Sequence, residues 1–166
     1  VATVSMQIGS GTSAQMFMDD LLIASASIAP MGLHQCHEIG VTGAGTNNAW
    51  EGTFEDVNDP IGAPDDETTE MYAETTGLRQ DMTFGSIPLG STIWAVDVMT
   101  RARNSQGVAL QLAPYLTIGS TTTDFAAQNV PAAYTNYVNR LNDNPDTSAP
   151  WTDAEVNSII AGVRTV

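Results

Sequence analysis

Lysine is absent from this chain, and several chemistries go with it. All five basic residues are arginines: Arg79, Arg101, Arg103, Arg140 and Arg164. A phosphate cradle of the Walker type and a Schiff-base amine both need lysine, so neither is available. Against those five stand 19 acidic residues, a net charge of −14. A field of that sign repels nucleic-acid phosphates and anionic lipid, which argues against nucleic-acid and membrane partners. It also makes copies of the chain repel one another until salt screens them. Cysteine is nearly absent too. Cys36 stands alone, which excludes an internal disulfide and a tetracysteine zinc site. No apolar run approaches the roughly 18 residues of a membrane helix. Residues 1–8 lack the basic flank of a signal peptide. What remains is a chain of 166 residues, 42% hydrophobic, read as one soluble domain spanning 1–166 with enough apolar surface for a core.

The residues present alternate with the period of strands. Ala2, Val4, Met6 and Ile8 are separated by polar residues, residues 9–13 are turn formers, and residues 16–23 form the next apolar run. That pattern predicts a hairpin. Residues 41–48 read as a glycine-rich loop, and residues 56–70 as a longer acidic loop with Pro60, Gly62 and Pro64. From 91 to 103, Trp94, Val96 and Val98 alternate with Ile93, Ala95 and Asp97, which puts Trp94 in a core strand. The run ends in the turn cluster 104–107, and Val108, Leu110 and Leu112 begin another strand, so the spacing predicts a hairpin there. Pro114 cannot donate to a ladder and must sit at an edge or a bulge. A further strand is expected over 133–141, with Tyr134 and Val138 sharing a face.

The period changes at the C-terminus. Thr152-Asp153-Ala154-Glu155 is a capping box, and Trp151 and Val156 have the spacing of a hydrophobic staple. Val156, Ile159 and Ile160 would form the apolar stripe of a helix of about two to three turns. Gly162 is placed for its left-handed C-cap, and residues 163–166 for a last strand. The expected class is mainly β, a sandwich or jelly roll with one short C-terminal α-helix.

Five pieces in order carry a resemblance over residues 17–166. They are Phe17-Met18-Asp19-Asp20-Leu21-Leu22-Ile23; Trp50-Glu51-Gly52-Thr53-Phe54; Asp65-Asp66-Glu67-Thr68-Thr69; Arg101-Ala102-Arg103 before Gly107; and a closing stretch. That last, most specific piece runs Asn144-Pro145-Asp146-Thr147, Trp151-Thr152-Asp153-Ala154-Glu155-Val156-Asn157, then Gly162-Val163. Together they resemble tailed-bacteriophage virion structural proteins with a concanavalin-like, laminin-G-type sandwich. Such proteins carry more N-terminal strands than the single hairpin read here. The resemblance therefore implies a reduced sandwich, or one completed by a neighbouring subunit's strand. It supplies no catalytic residues.

Other chemistry is weighed residue by residue. His34, Cys36, His37 and Glu38 are the residue types zinc prefers, but on a strand the two histidines point to opposite faces. A small buried thiol among satisfied polar groups is the ordinary reading. Asp19, Asp20, Asp56, Asp59, Asp65, Asp66 and Glu67 offer hard oxygens, and laminin-G-type sandwiches often hold calcium at a loop edge. Calcium is thus the one candidate cofactor, with no EF-hand spacing behind it. A glycoside hydrolase would need two carboxylates across an aromatic-lined cleft, and there is no nucleophile elbow for an esterase. The expectation is no enzyme, and no catalytic, cofactor or metal residues.

Two functions follow from the resemblance. The first is a capsid cement or decoration subunit, a homo-oligomer within a symmetric virion, stabilising the shell through contacts with other phage proteins. The strand 1–8 and the loop 56–70 are the expected contact segments. The second is a tail or head-fibre module that binds host surface carbohydrate through Trp50, Tyr72 and Tyr115.

Overall fold

The computed structural model describes residues 36–60, 63–66, 68–106 and 109–166. The hairpin expected over 1–23 lies outside them, as do Asp19, Asp20, His34 and Glu67. Within the unit His37–Val166, the strands in chain order are β1 (Val41–Asn48), β2 (Arg79–Phe84), β3 (Val96–Ala102), β4 (Gln111–Ile118) and β5 (Thr121–Asp124). Then come β6 (Gln128–Asn129), β7 (Thr135–Leu141), β8 (Asp143–Asn144), β9 (Ala149–Pro150) and β10 (Ile160–Thr165). A 3-10 turn, Phe54–Val57, follows β1, and the single-turn helix α1 (Asp153–Val156) precedes β10. The fold is mainly β and antiparallel, a β-sandwich with one short helix.

The strand that organises the larger sheet is the last in the chain. β10 lies between β2 and β4, in the order β1-β2-β10-β4-β5, with β6 beside β5 on the outer flank of β4. The second layer is the two-stranded ribbon β3–β7. Val98 of β3 joins Leu116 and Ile118 of β4, Ala161 of β10, and Ile87, Trp151 and Val156 in one buried cluster. Partly buried Val96 and Leu141 pack on it from the ribbon. The core is thus the space between the two layers.

Two of the expected features are corrected here. The run 91–103 does not form a hairpin with the strand after it. β3 pairs with β7 along Val96↔Leu141 to Ala102↔Thr135, while β4 crosses to the other layer and pairs with β10. Alternation specifies which face a strand buries, not which strand lies beside it, and the 104–110 connection bonds elsewhere. Asn104 N–H donates to the Pro131 carbonyl and Val130 N–H to the Leu110 carbonyl. On β7 it is Tyr137 that turns inward, while Val138 faces out, 53% exposed. Trp94 precedes β3 and is 62% exposed, so it is no core residue.

The glycines at 43, 45 and 162 are also placed differently from the expectation. Residues 41–48 form an edge strand rather than a loop, and Gly162 is in the middle of β10, not at a helix end. The reason is a row of residues running across four strands. Gly162 is paired with Asp81 on one side and Tyr115 on the other. Directly opposed residues share a face, so the Tyr115 hydroxyl passes over Gly162 to donate to Asp81 Oδ2 at 2.9 Å. A Cβ at 162 would collide with the Gln80 carbonyl and with Asp81, and one at 45 with the Asp81 carboxyl. Only glycine leaves room at both positions.

Pro114 is paired with Val163 in this sheet, on the strand flanked by both β10 and β5/β6. Its missing donor falls where the outer partner changes. β6 pairs with Gln111 and Leu112, β5 with residues from Tyr115 onward, and Phe125 N–H donates to the Pro114 carbonyl between them. That break is what admits proline.

The capping box forms as the sequence predicts. Thr152 Oγ1 accepts from Glu155 N–H, and Glu155 Oε2 accepts from Thr152 N–H at 2.8 Å. Trp151 and Val156 are both buried in the core cluster. The helix is one turn rather than two or three, because its exit is taken by side chains. Ser158 Oγ donates to the Glu155 carbonyl, while the Asn157 side chain turns to the backbone of Ile87. Ile160 then begins β10.

Candidate functional site

The acidic loop is fastened to the ribbon by arginines. Asp66 takes a left-handed conformation, φ 53°, which Asp tolerates better than most residues. It receives Arg101 in a two-pronged contact, Nε to Oδ1 at 2.5 Å and Nη2 to Oδ2 at 2.6 Å. Glu70 accepts from the Tyr134 hydroxyl at 2.7 Å and from Arg103 at 3.4 Å. Both guanidiniums lie over the Tyr134 ring, 5.1 and 5.0 Å from its centre. The Arg101 hydrogen bonds hold the Asp66 carboxyl below its ordinary range. Tyr134, and then Arg103, do the same for Glu70. Burial and the Glu70 contact push the Tyr134 phenol up to about 12.

Beside this clasp, the outward face of the ribbon is ordered by cross-strand pairs. Asp97 faces Arg140, Met99 faces Val138 and Arg101 faces Asn136. Arg140 holds Asp97 at 2.8 and 2.7 Å. Met99 and Val138 stay exposed between the two polar pairs.

A second arrangement stands at the end of β1. Gln80 is buried; its Oε1 accepts from Trp50 N–H and its Nε2 donates to Asn48 Oδ1. Thr53 N–H donates to Asp56 Oδ2 at 2.7 Å, which builds the 3-10 turn and sets Phe54. Gly52, at φ 102°, brings the chain against Met71. The result is a pocket of about 320 Å³ lined by Trp50, Phe54, Met71, Asn48 and Glu55 among others. A wider hollow of about 670 Å³, lined by Leu110, Val130, Pro131 and Tyr137, carries no charged side chain.

The third arrangement is the loop between β2 and β3. Leu89, 82% exposed, and Trp94, 62% exposed, are the two most exposed of the large hydrophobic side chains among the described residues. The loop carrying them is pinned. Ile87 N–H donates to Asn157 Oδ1 at 2.7 Å, Asn157 Nδ2 donates to the Ile87 carbonyl at 3.2 Å, and Gly90 N–H donates to Asp153 Oδ2.

The residues singled out from sequence are scattered by this structure. Cys36 and His37 are both exposed, so the thiol is not the buried one expected. Among the described residues no group of three or more metal-ligating side chains comes together. The acidic loop residues bind their own chain instead: Asp56 caps a turn, Asp59 accepts from Asp65 N–H, and Asp65 accepts from Thr69. Of the three aromatics considered for sugar, Tyr115 is 1% exposed under the Arg79 guanidinium and is lost to that role, whereas Trp50 and Tyr72 reach the surface. Asp81 and Leu89 went unnoticed in the sequence, and Tyr134 was read only as a strand residue. Asp81 and Tyr134 sit in ordinary strand-like runs, and only Pro88-Leu89-Gly90, a turn with an apolar centre, carried a signal.

The described chain is therefore a mainly β sandwich whose loops are fastened by its own side chains. No protein-family model, curated protein or solved structure matches it. Among the described residues, no helix is long and apolar enough to cross a membrane.

Proposed function

We propose that this chain is a structural subunit of a tailed-phage particle, a cement or decoration protein that stabilises the capsid through contacts with coat proteins. The observation that carries the reading is the pinned 87–94 loop with Leu89 and Trp94 turned to solvent. A large apolar side chain held in place before binding loses little entropy on docking, and such residues dominate interface energetics. The phage setting comes from the five ordered sequence pieces, and the charge of −14 favours a partner of opposite sign over self-association in solution. Copies then acquire their symmetric arrangement from the shell they decorate.

Mass spectrometry and electron microscopy of purified particles encoding the chain test this. The expected result is many symmetric copies on the capsid, with the 87–94 loop facing coat protein. Absence from the particle, or a location confined to a fibre tip, overturns it.

A further inference from the structure

The molecule combines an aromatic ring, a carboxylate and an arginine at two places. Arg79 lies 4.5 Å over the Tyr115 ring and reaches Asp124 at 3.0 Å. Arg101 and Arg103 lie over Tyr134 and reach Asp66 and Glu70. The Trp50 pocket has the first two components of the same set. Two partly exposed rings, Trp50 and Phe54, line it together with the exposed Glu55, and no basic side chain does. Among the described residues, no hydrogen bond or ion pair engages the Glu55 carboxylate. The chain has no arginine left to supply, because all five are paired with carboxylates elsewhere: Arg79 and Arg164 with Asp124, Arg101 with Asp66, Arg103 with Glu70, and Arg140 with Asp97.

We propose that the Trp50 pocket receives an arginine side chain presented by a partner protein. The guanidinium stacks on the Trp50 and Phe54 rings, and Glu55 supplies the counter-charge. Arginine suits the site better than lysine, since a planar, weakly hydrated cation stacks where a compact ammonium stays solvated. Exposed Glu51, next in the chain to Trp50, adds to that counter-charge, and no residue from 48 to 60 is basic. A second copy is a poor donor, because its five arginines are the ones already engaged. This inference rests on the reading of the chain as an interaction subunit and names what the partner brings to one contact.

The test is an NMR titration of the full ¹⁵N-labelled chain with the blocked tripeptide acetyl-Gly-Arg-Gly-amide. The Trp50 indole and Glu55 amide signals should shift and saturate while the Trp151 indole stays in place. The same peptide with norleucine for arginine should not saturate the site. Glu55→Gln, an exposed and conservative change, should weaken arginine binding about threefold to tenfold. The proposal is overturned if norleucine binds as well as arginine, if Glu55→Gln leaves the affinity unchanged, or if the shifts spread unsaturated over the acidic surface. It is equally overturned if methyl glucoside moves the same signals at lower concentration than the peptide. Particle localisation decides the broader reading separately. A chain found on the capsid whose pocket ignores the arginine peptide would keep its structural role and lose this contact.

Discussion

Trp151 and Trp94 belong to two regions that treat the same side chain in opposite ways. Trp151 is 4% exposed, joins the core between the layers, and donates its indole N–H to the Leu141 carbonyl at 3.1 Å. Trp94 is 62% exposed on the loop that leads into the ribbon. The region that holds Trp151 is closed: strands pair on both flanks of β10, and on the opposite face of the same sheet Asp81, Tyr115 and two glycines interlock. The side that holds Trp94 is open. Its ribbon has two strands, its outward face keeps Met99 and Val138 exposed, and its loops are fastened by surface ion pairs. The difference separates the part of the molecule that makes it fold from the part available for contact.

The largest effect expected is from Trp151→Ala, which empties the staple and leaves a cavity. Urea denaturation should show a loss of about 3–5 kcal/mol. A loss under about 1 kcal/mol would mean that the core does not depend on the indole, and the comparison would fail at its first term.

Asp81→Ala comes next. It leaves the buried Tyr115 hydroxyl and the Asn47 amides without their acceptor. Orphaned groups of this kind cost about 1–3 kcal/mol. Most of the expected loss should persist at high salt, because it comes from the orphaned buried donors and not from the charge removed with the carboxylate. A loss that vanished at high salt would assign Asp81 to the surface electrostatics of the other region.

Titration sharpens the contrast from the open side. Tyr134 has its phenol raised from 10.0 to about 12, by burial first and then by Glu70. A raised folded-state value means that its contribution is fully present below pH 10 and fades as pH climbs toward 12. The lowered values of Asp66, Glu70 and Asp97 run the other way. Their contribution is present above the ordinary carboxyl range, and disappears as pH falls through the lowered values. These pairs are at the surface, so salt should blunt both limbs. Ultraviolet titration of Tyr134→Phe against the parent should remove one late-ionising phenol; loss of a phenol that ionises near the ordinary value of 10.0 would show instead that the clasp is open in solution.

The smallest effect on stability should be that of Trp94→Ala, within about 0.5 kcal/mol. Its consequence belongs to binding, read as lost incorporation into particles. A variant that unfolds readily would make Trp94 a core residue after all, and erase the distinction between the two regions.

What could be read beforehand was whatever depends on near neighbours in the chain. The capping box needs only Thr152 and Glu155 three positions apart, and the staple needs only Trp151 and Val156 around it. The long acidic loop, with its prolines, was legible for the same reason. The ribbon was not. The pairing of β3 with β7 joins Asp97 to Arg140 across more than forty residues, and nothing near either residue announces it. Glycine misled for a related reason: beside polar residues it reads as a turn, and at 45 and 162 it exists to make space for Asp81.

The sequence by itself determined the sign and scale of the charge, the mainly antiparallel β class, the capped turn at 152–156 and the lack of lysine chemistry. These are sums over residues or contacts within one turn of chain, so they survive without knowledge of the fold. Only the tertiary structure decided that β10 lies at the centre, that Tyr115 is sealed under Arg79, and that all five arginines are taken by the chain's own carboxylates. It also decided that Trp94 is largely exposed while Trp50 is half-buried in the wall of its pocket. Each of these depends on which distant strands become neighbours. That choice is made by fitting side chains between two layers, and alternation along a single strand does not contain it.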